Sequence, residues 1–295
     1  MVASYNFDVY EIDPTHLKFI ETDLNTIMGG DAFTQQTSLP QGGYAYVLEG
    51  ADSSGSPMGL GGYLNSDGTS TISNGLEDYN DAGTVVTGAT TVGGSFTPFS
   101  GGRTELTLTG FFNGNPAIQT STFAAYPSIG GVQLLEVDAN GGITGGYAIS
   151  QGTPTALAAT DYALNLTGIN PSSEEDDIAQ FVVSGTTYKG VEDVNDEGSL
   201  SPSVAFDGTI TPDATFTGHG AAVTNGEINF NYYVADGGAT ALIIDTDPNP
   251  APQVGIGAIE SQNIGIAGAA PSRSRALISR PVGKRTGSFR RQRNQ

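Results

Sequence analysis

The chain has 295 residues, 42 of them glycine and none cysteine or tryptophan, and carries a formal charge of −20. Lys18, Arg103 and Lys189 are the only basic side chains before residue 271, against all 31 acids, which speaks against phosphate-backbone binding by the folded body and favours cations instead. The lack of cysteine excludes disulfides, thiol chemistry and cysteine-ligated zinc, and no apolar run reaches the length of a membrane span.

Glycine is abundant, with many Thr, Ser, Val and Tyr, the composition of short strands joined by tight turns. Residues 1–40 read as a partial repeat: Leu17–Asp23 is an apolar strand running into acids, and it returns as Gln133–Asp138 and Ala241–Asp247. Each copy precedes a short strand ending in glutamine, at Gln35-Gln36, Gln151 and Gln262. Residues 3–36 are therefore expected to form three strands, equivalent to the last three of a full unit. The opening Met1–Tyr5 lacks the basic start and apolar core of a secretory leader.

A first full unit is expected over 41–152. Strands are predicted at 44–50, 58–64, 71–76, 91–96, 105–109, 117–125, 132–137 and 143–150. The Asn65-Ser66-Asp67-Gly68 stretch marks a hairpin between the second and third. A Pro/Thr/Ala linker follows, and a second unit is expected over 160–262, opening at Tyr162–Gly168 as the first opens at Tyr44–Gly50. Strands such as Ile228–Val234 alternate apolar and polar as a half-buried strand does. With no helix for parallel crossovers, each unit is an eight-stranded antiparallel meander. Such a meander closes into a small up-and-down barrel, which removes its edges; β-sandwiches are the alternative. Residues 263–295 turn basic and unpatterned, and a disordered tail is expected. It reads as a solvated or out-of-frame extension, or as a basic arm for anionic polymer or a neighbour's acidic body. The headless start and discordant end together suggest a fragment of a longer array.

One motif recurs whole. Gly75-Leu76-Glu77-Asp78-Tyr79-Asn80-Asp81-Ala82-Gly83 returns as Gly190-Val191-Glu192-Asp193-Val194-Asn195-Asp196-Glu197-Gly198. Read as an acidic loop, it offers Ca2+ the side-chain oxygens of Glu77, Asp78, Asn80 and Asp81, and of Glu192, Asp193, Asn195 and Asp196. It is not an EF-hand, because Ala89 and Val204 stand where a bidentate glutamate is required. The competing reading is a turn in which Asn80 or Asp81 accepts backbone N–H bonds. The paired acids Glu21/Asp23, Glu136/Asp138 and Asp245/Asp247 suggest glycoside hydrolysis less than they suggest solvated strand ends. His16 and His219 occupy unequal places and read as surface histidines. The glycine clusters are not followed by helices, so they are not phosphate cradles.

The Tyr-containing opening strand, the repeated Gly-x-Glu-Asp-x-Asn-Asp-x-Gly stretch and the closing strand with two acids resemble those of uncharacterised bacterial tandem β-repeat proteins, secreted or at the cell surface. The resemblance covers residues 3–262 and implies an extracellular home and no particular catalytic residue. The reading that follows is a non-enzymatic structural or adhesive module with a cell-surface polymer or protein as partner, stabilised by Ca2+ where its acidic loops bind the ion. The alternative is a lipocalin-type barrel with a ligand cavity, which a side-chain-filled interior would count against. A hydrolase would require two carboxylates facing each other across a cleft.

Overall fold

The computed structural model describes residues 5–22, 29–112, 114, 120–139, 142–153, 155–170, 173–225, 228–247 and 253–262. Asp23, residues 117–119 of one expected strand and the basic tail from 263 lie outside them. The described chain is all β, apart from one 3-10 turn at Asp236–Gly238.

The first three strands, β1 (Phe7–Asp13), β2 (His16–Glu21) and β3 (Gly29–Phe33), form an antiparallel sheet that belongs to one compact unit. The other compact unit holds two closed barrels. Barrel 1 consists of β4 (Gly42–Ala51), β5 (Pro57–Ser66), β6 (Thr71–Asp81), β7 (Thr84–Pro98), β8 (Thr104–Thr109), β9 (Thr120–Ser128), β10 (Gly131–Glu136) and β11 (Ile143–Ser150), with β11 closing on β4. Barrel 2 repeats the plan with β12 (Asp161–Asn170), β13 (Ser173–Ser184), β14 (Thr187–Asp196), β15 (Ser199–Pro212), β16 (His219–Thr224), β17 (Phe230–Ala235), β18 (Thr240–Asp245) and β19 (Val254–Ser261), closing between β19 and β12. Both expected barrels are present, and the sandwich alternative is not the fold.

The N-terminal sheet carries the register of a barrel's last three strands. A phenylalanine faces the terminal acid of the next strand in all three places, Phe7 opposite Glu21, Phe123 opposite Glu136 and Phe230 opposite Asp245. Each middle strand then sets an apolar residue against a glycine of the third, Phe19 against Gly30, Leu134 against Gly146 and Ile243 against Gly257.

Inward-pointing residues fill the barrels. In barrel 2 the rings run in contact, Tyr162 to Phe181 at 5.7 Å, Phe181 to Phe206 at 5.3 Å and Tyr188 to Phe206 at 5.2 Å between centroids. Strands β13 and β14 alternate buried and open positions, as a barrel wall with one wet side must. Strands β17 and β18 do not alternate; every residue is buried. The cause is a second core outside both barrels. Ala45, Val47, Tyr63 and Leu76 of barrel 1 pack against Tyr233, Leu242, Ile244 and Ala258 of barrel 2, so these strands bury both faces.

Candidate functional site

The repeated motif is a strand and turn rather than a loop. Residues 75–81 continue β6 and 190–196 continue β14, and the chain reverses at Ala82-Gly83 and Glu197-Gly198. All four turn residues have positive φ, at 47°, 85°, 48° and 90°, the primed hairpin turn whose twist matches the strands it joins. Asn80 Oδ1 accepts from Gly83 N at 2.9 Å and Asn195 Oδ1 from Gly198 N at 2.8 Å, which is the Asx closure expected of the turn reading. Asp78 Oδ1 accepts from Gly88 N, and Asp193 Oδ1 from Ser203 N at 2.7 Å. Gly88 and Ser203 are themselves at positive φ, 62° and 57°, so in both copies the aspartate satisfies a backbone N–H that a bulge takes off the ladder.

A strand alternates its side chains, so the residues expected to converge on one ion are divided between two faces. Glu77 and Asp81 lie beside Gly62 and Met58 and point into barrel 1, whereas Asp78 and Asn80 lie beside Gly61 and Gly59 and point out. Glu192 and Asp196 likewise face the interior of barrel 2, and Asp193 and Asn195 face solvent. Among the described residues no group of three His, Asp or Glu side chains is placed to hold a metal ion.

What the motif does build in barrel 1 is half of a buried polar cluster. Asp78 is fully buried, and its Oδ2 accepts from Asn231 Nδ2 at 2.8 Å and from the Tyr233 hydroxyl, while His219 Nε2 lies 2.9 Å away. The other imidazole nitrogen, Nδ1, is 2.9 Å from Asp213 Oδ2, at the partly open end of the chain of groups. His219 is 7 % exposed, which corrects its reading as a surface histidine: strand β16 carries it into the junction, and its ring stacks on Tyr233 at 5.3 Å. Burial alone lowers a histidine's pKa, but the two carboxylates outweigh it and hold His219 above its usual value. Burial likewise acts to raise Asp78, yet the His219 and Tyr233 hydrogen bonds keep it below the usual carboxylate range. The result is an imidazole between two carboxylates that favour its protonated form, with the Tyr233 pKa pushed well above its ordinary value by burial and by Asp78. Asn80 adds a second tie, donating from Nδ2 to the carbonyls of Gln253 at 2.7 Å and Asp245 at 3.2 Å in barrel 2.

His16 is also buried rather than superficial, with Nε2 2.5 Å from Asp31 Oδ1 and its ring on Phe33 at 4.4 Å; Lys18 completes this cluster. An open hollow of about 500 Å3 adjoins the hairpin, walled by Glu11, Asp13, His16 and Phe33. The strand-end acids are corrected too. Glu21, Glu136 and Asp245 are 6 %, 7 % and 0 % exposed, because the even spacing of a strand turns them inward opposite their phenylalanines. Glu136 Oε2 accepts from both Thr144 N and Oγ1, and Asp245 Oδ1 accepts from Asp247 N at 2.6 Å. Burial, then the neighbouring Asp247, push Asp245 well above the usual carboxylate value.

Fold and cluster together define a tandem antiparallel β-barrel protein whose two barrels are joined by an acid–imidazole–acid chain, buried at Asp78 and His219 and partly open at Asp213. No family model matches the chain, and no curated protein matches it. The crystal structure of kievitone hydratase from Nectria haematococca is similar over 77 % of this chain and 90 % of that one, at 10 % identity and a TM-score of 0.24. At that level nothing about activity transfers. Among the described residues no helix is long and apolar enough to cross a membrane.

Proposed function

We propose that the protein is a non-enzymatic module of an extracellular or cell-surface setting, in which two barrels held at fixed mutual orientation act as a stiff structural or adhesive element. The observation that carries this reading is the use made of Asp78, His219 and Asp213. An acid, a base and an orienting carboxylate at these distances resemble catalytic machinery, but here Asp78 is fully buried and engaged by three barrel 2 side chains and one backbone N–H. Removing two charges from water is costly unless they are paired and fully hydrogen-bonded, and the pairing then fixes geometry more than it adds stability. The aromatic packing inside barrel 2 leaves the lipocalin-type reading with less support. The extracellular setting and a surface polymer or protein as partner rest on the repeat resemblance.

Calorimetry with an activity screen tests the proposal. Both barrels should melt in one transition whose calorimetric and van't Hoff enthalpies agree, and His219→Gln should split it into two. If the native protein turns over members of a glycoside and ester panel, and His219→Gln abolishes turnover while leaving the melt unchanged, the cluster is a catalytic site and the proposal fails.

A further inference from the structure

The contact between the barrels is heterologous: a face made by β17, β18 and β19 of barrel 2 sits on a different face, made by β4, β5 and β6 of barrel 1. Each barrel possesses both faces by repetition. One of each is therefore left over, the β9–β11 face of barrel 1 and the β12–β14 face of barrel 2.

Both leftover faces present large apolar side chains to solvent among polar ones. On barrel 1, Tyr126 and Leu135 are 43 % and 51 % exposed. They stand where Tyr233 and Ile244 stand in barrel 2, since Tyr126 pairs with Gln133 as Tyr233 pairs with Leu242, and Ala124 with Leu135 as Asn231 with Ile244. On barrel 2, Ile178 and Val191 are 55 % and 52 % exposed. They occupy the places of Gly61 and Leu76, for Ile178 pairs with Asp193 as Gly61 pairs with Asp78, and Gln180 with Val191 as Tyr63 with Leu76. The aspartate that receives the tyrosine hydroxyl between the barrels thus recurs as Asp193, and the tyrosine recurs as Tyr126.

Charge, and an exchange of sizes at one pair of positions, agree with a match between the two. Inside the chain, Gly59 of the receiving face meets Val254 and Ile256 of the docking face, with Ile256 Cγ2 3.7 Å from where a Cβ would stand. On the leftover faces the sizes are exchanged: Asp176 occupies the place of Gly59, and Gly145 that of Ile256. The docking residues Ala124, Tyr126, Gln133, Leu135 and Gly145 carry no charge, so they meet Asp176 and Asp193 without like-charge opposition on an otherwise acidic molecule.

We propose that these faces join two copies of the chain head to tail, the β9–β11 face of one copy seated on the β12–β14 face of the next, with the Tyr126 hydroxyl donating to Asp193. A heterologous contact of this kind does not close on itself after two copies, and it extends the row of barrels into an array or a ring. Exposed apolar patches of this sort mark interaction sites. The contact is weaker than the one inside the chain, because Ala124 replaces the Asn231 amide and Ile178 fills the space that Gly61 leaves for Tyr233 and Ile244. Association is therefore expected to depend on concentration.

Sedimentation of the full chain over a range of concentrations tests this, with Ile178→Asp and Leu135→Asp as variants. Both side chains are more than half exposed, and unchanged thermal melts confirm that the variants fold. The native weight-average mass should climb past the dimer as concentration rises, and each variant alone should stay monomeric. An equimolar mixture retains one intact face of each kind and should form a dimer and nothing larger. A native chain that remains monomeric throughout overturns the proposal. So does association that persists in either variant, which would point to the basic tail on the acidic body.

Discussion

The two copies of the Gly-x-Glu-Asp-x-Asn-Asp-x-Gly hairpin have the same backbone and different surroundings. Asp78 and Asp193 each close a bulge, and Asn80 and Asn195 each close a turn. Asp193 is exposed, whereas Asp78 is buried and gathers three side chains from another barrel. A repeated motif is thus a local folding device first, and its outward oxygen becomes an interface group only where a neighbour covers it. The inward acids Glu77 and Glu192, by contrast, are buried in both copies, since each barrel supplies their surroundings by itself.

Substitutions in matched pairs sharpen the contrast. Asp78→Ala takes from His219, Asn231 and Tyr233 their shared buried carboxylate, leaving His219 only the partly open Asp213, and should cost about 3–5 kcal/mol in denaturant unfolding, the range for breaking a buried pair. Asp193→Ala removes one exposed hydrogen bond and should cost about 1 kcal/mol. Equal losses would show that the interface cluster contributes nothing beyond the hairpin. Next comes Gly61→Ala. Its Cβ would lie 2.2 Å from Ile244 Cγ2 and 2.5 Å from Tyr233, so about 1–3 kcal/mol of overpacking is expected, read as a lower denaturation midpoint. Ile178→Ala at the matching position of barrel 2 should leave that midpoint within about 0.5 kcal/mol.

The pH dependence follows from the same cluster. His219 has a folded pKa above 6.5, so its stabilisation is complete below that value and is lost as pH rises through the raised folded value. Asp78 and Asp213 are held below 3.8, so theirs is present above that value and is lost as pH falls through the folded values. Melting temperature should therefore peak in the mildly acidic range, and His219→Gln should flatten the alkaline limb. Asp245 has the opposite sign for a carboxylate. Its folded pKa is raised, so it detracts from stability as pH climbs above 3.8, and Asp245→Asn should raise the melting temperature more at pH 8 than at pH 5. The smallest expected effect is that of calcium: with the motif acids divided between two faces, added Ca2+ and added chelator should give the same melt, and a saturable upward shift would restore the metal reading.

Much of this fold was legible in the chain. Strand content, two eight-stranded units and a three-stranded N-terminal piece followed from turn residues, alternation and the repeat. The Asx closure was legible as one of two readings, because Asn-x-x-Gly acts within a few residues. The docking strands also left a sign that alternation alone passes over. Tyr44-Ala45-Tyr46-Val47-Leu48 and Ala241-Leu242-Ile243-Ile244 are apolar at consecutive positions, which an antiparallel strand needs only when both its faces are covered. Taking Glu77 to Asp81 as a loop hid the face on which each acid falls, and so hid the split between interior and interface.

The sequence by itself determined the repeat, the barrel-forming strands and the hairpin turns, because each depends on interactions between residues close in the chain or on a period of two. The tertiary structure alone decided which of two like aspartates is buried and that His219 lies between two carboxylates. Asp78 and His219 are 141 residues apart, and nothing in the local pattern of either announces the other. Their pairing exists because one outer face of barrel 2 covers one outer face of barrel 1, and burial then makes unpaired charge too costly to leave.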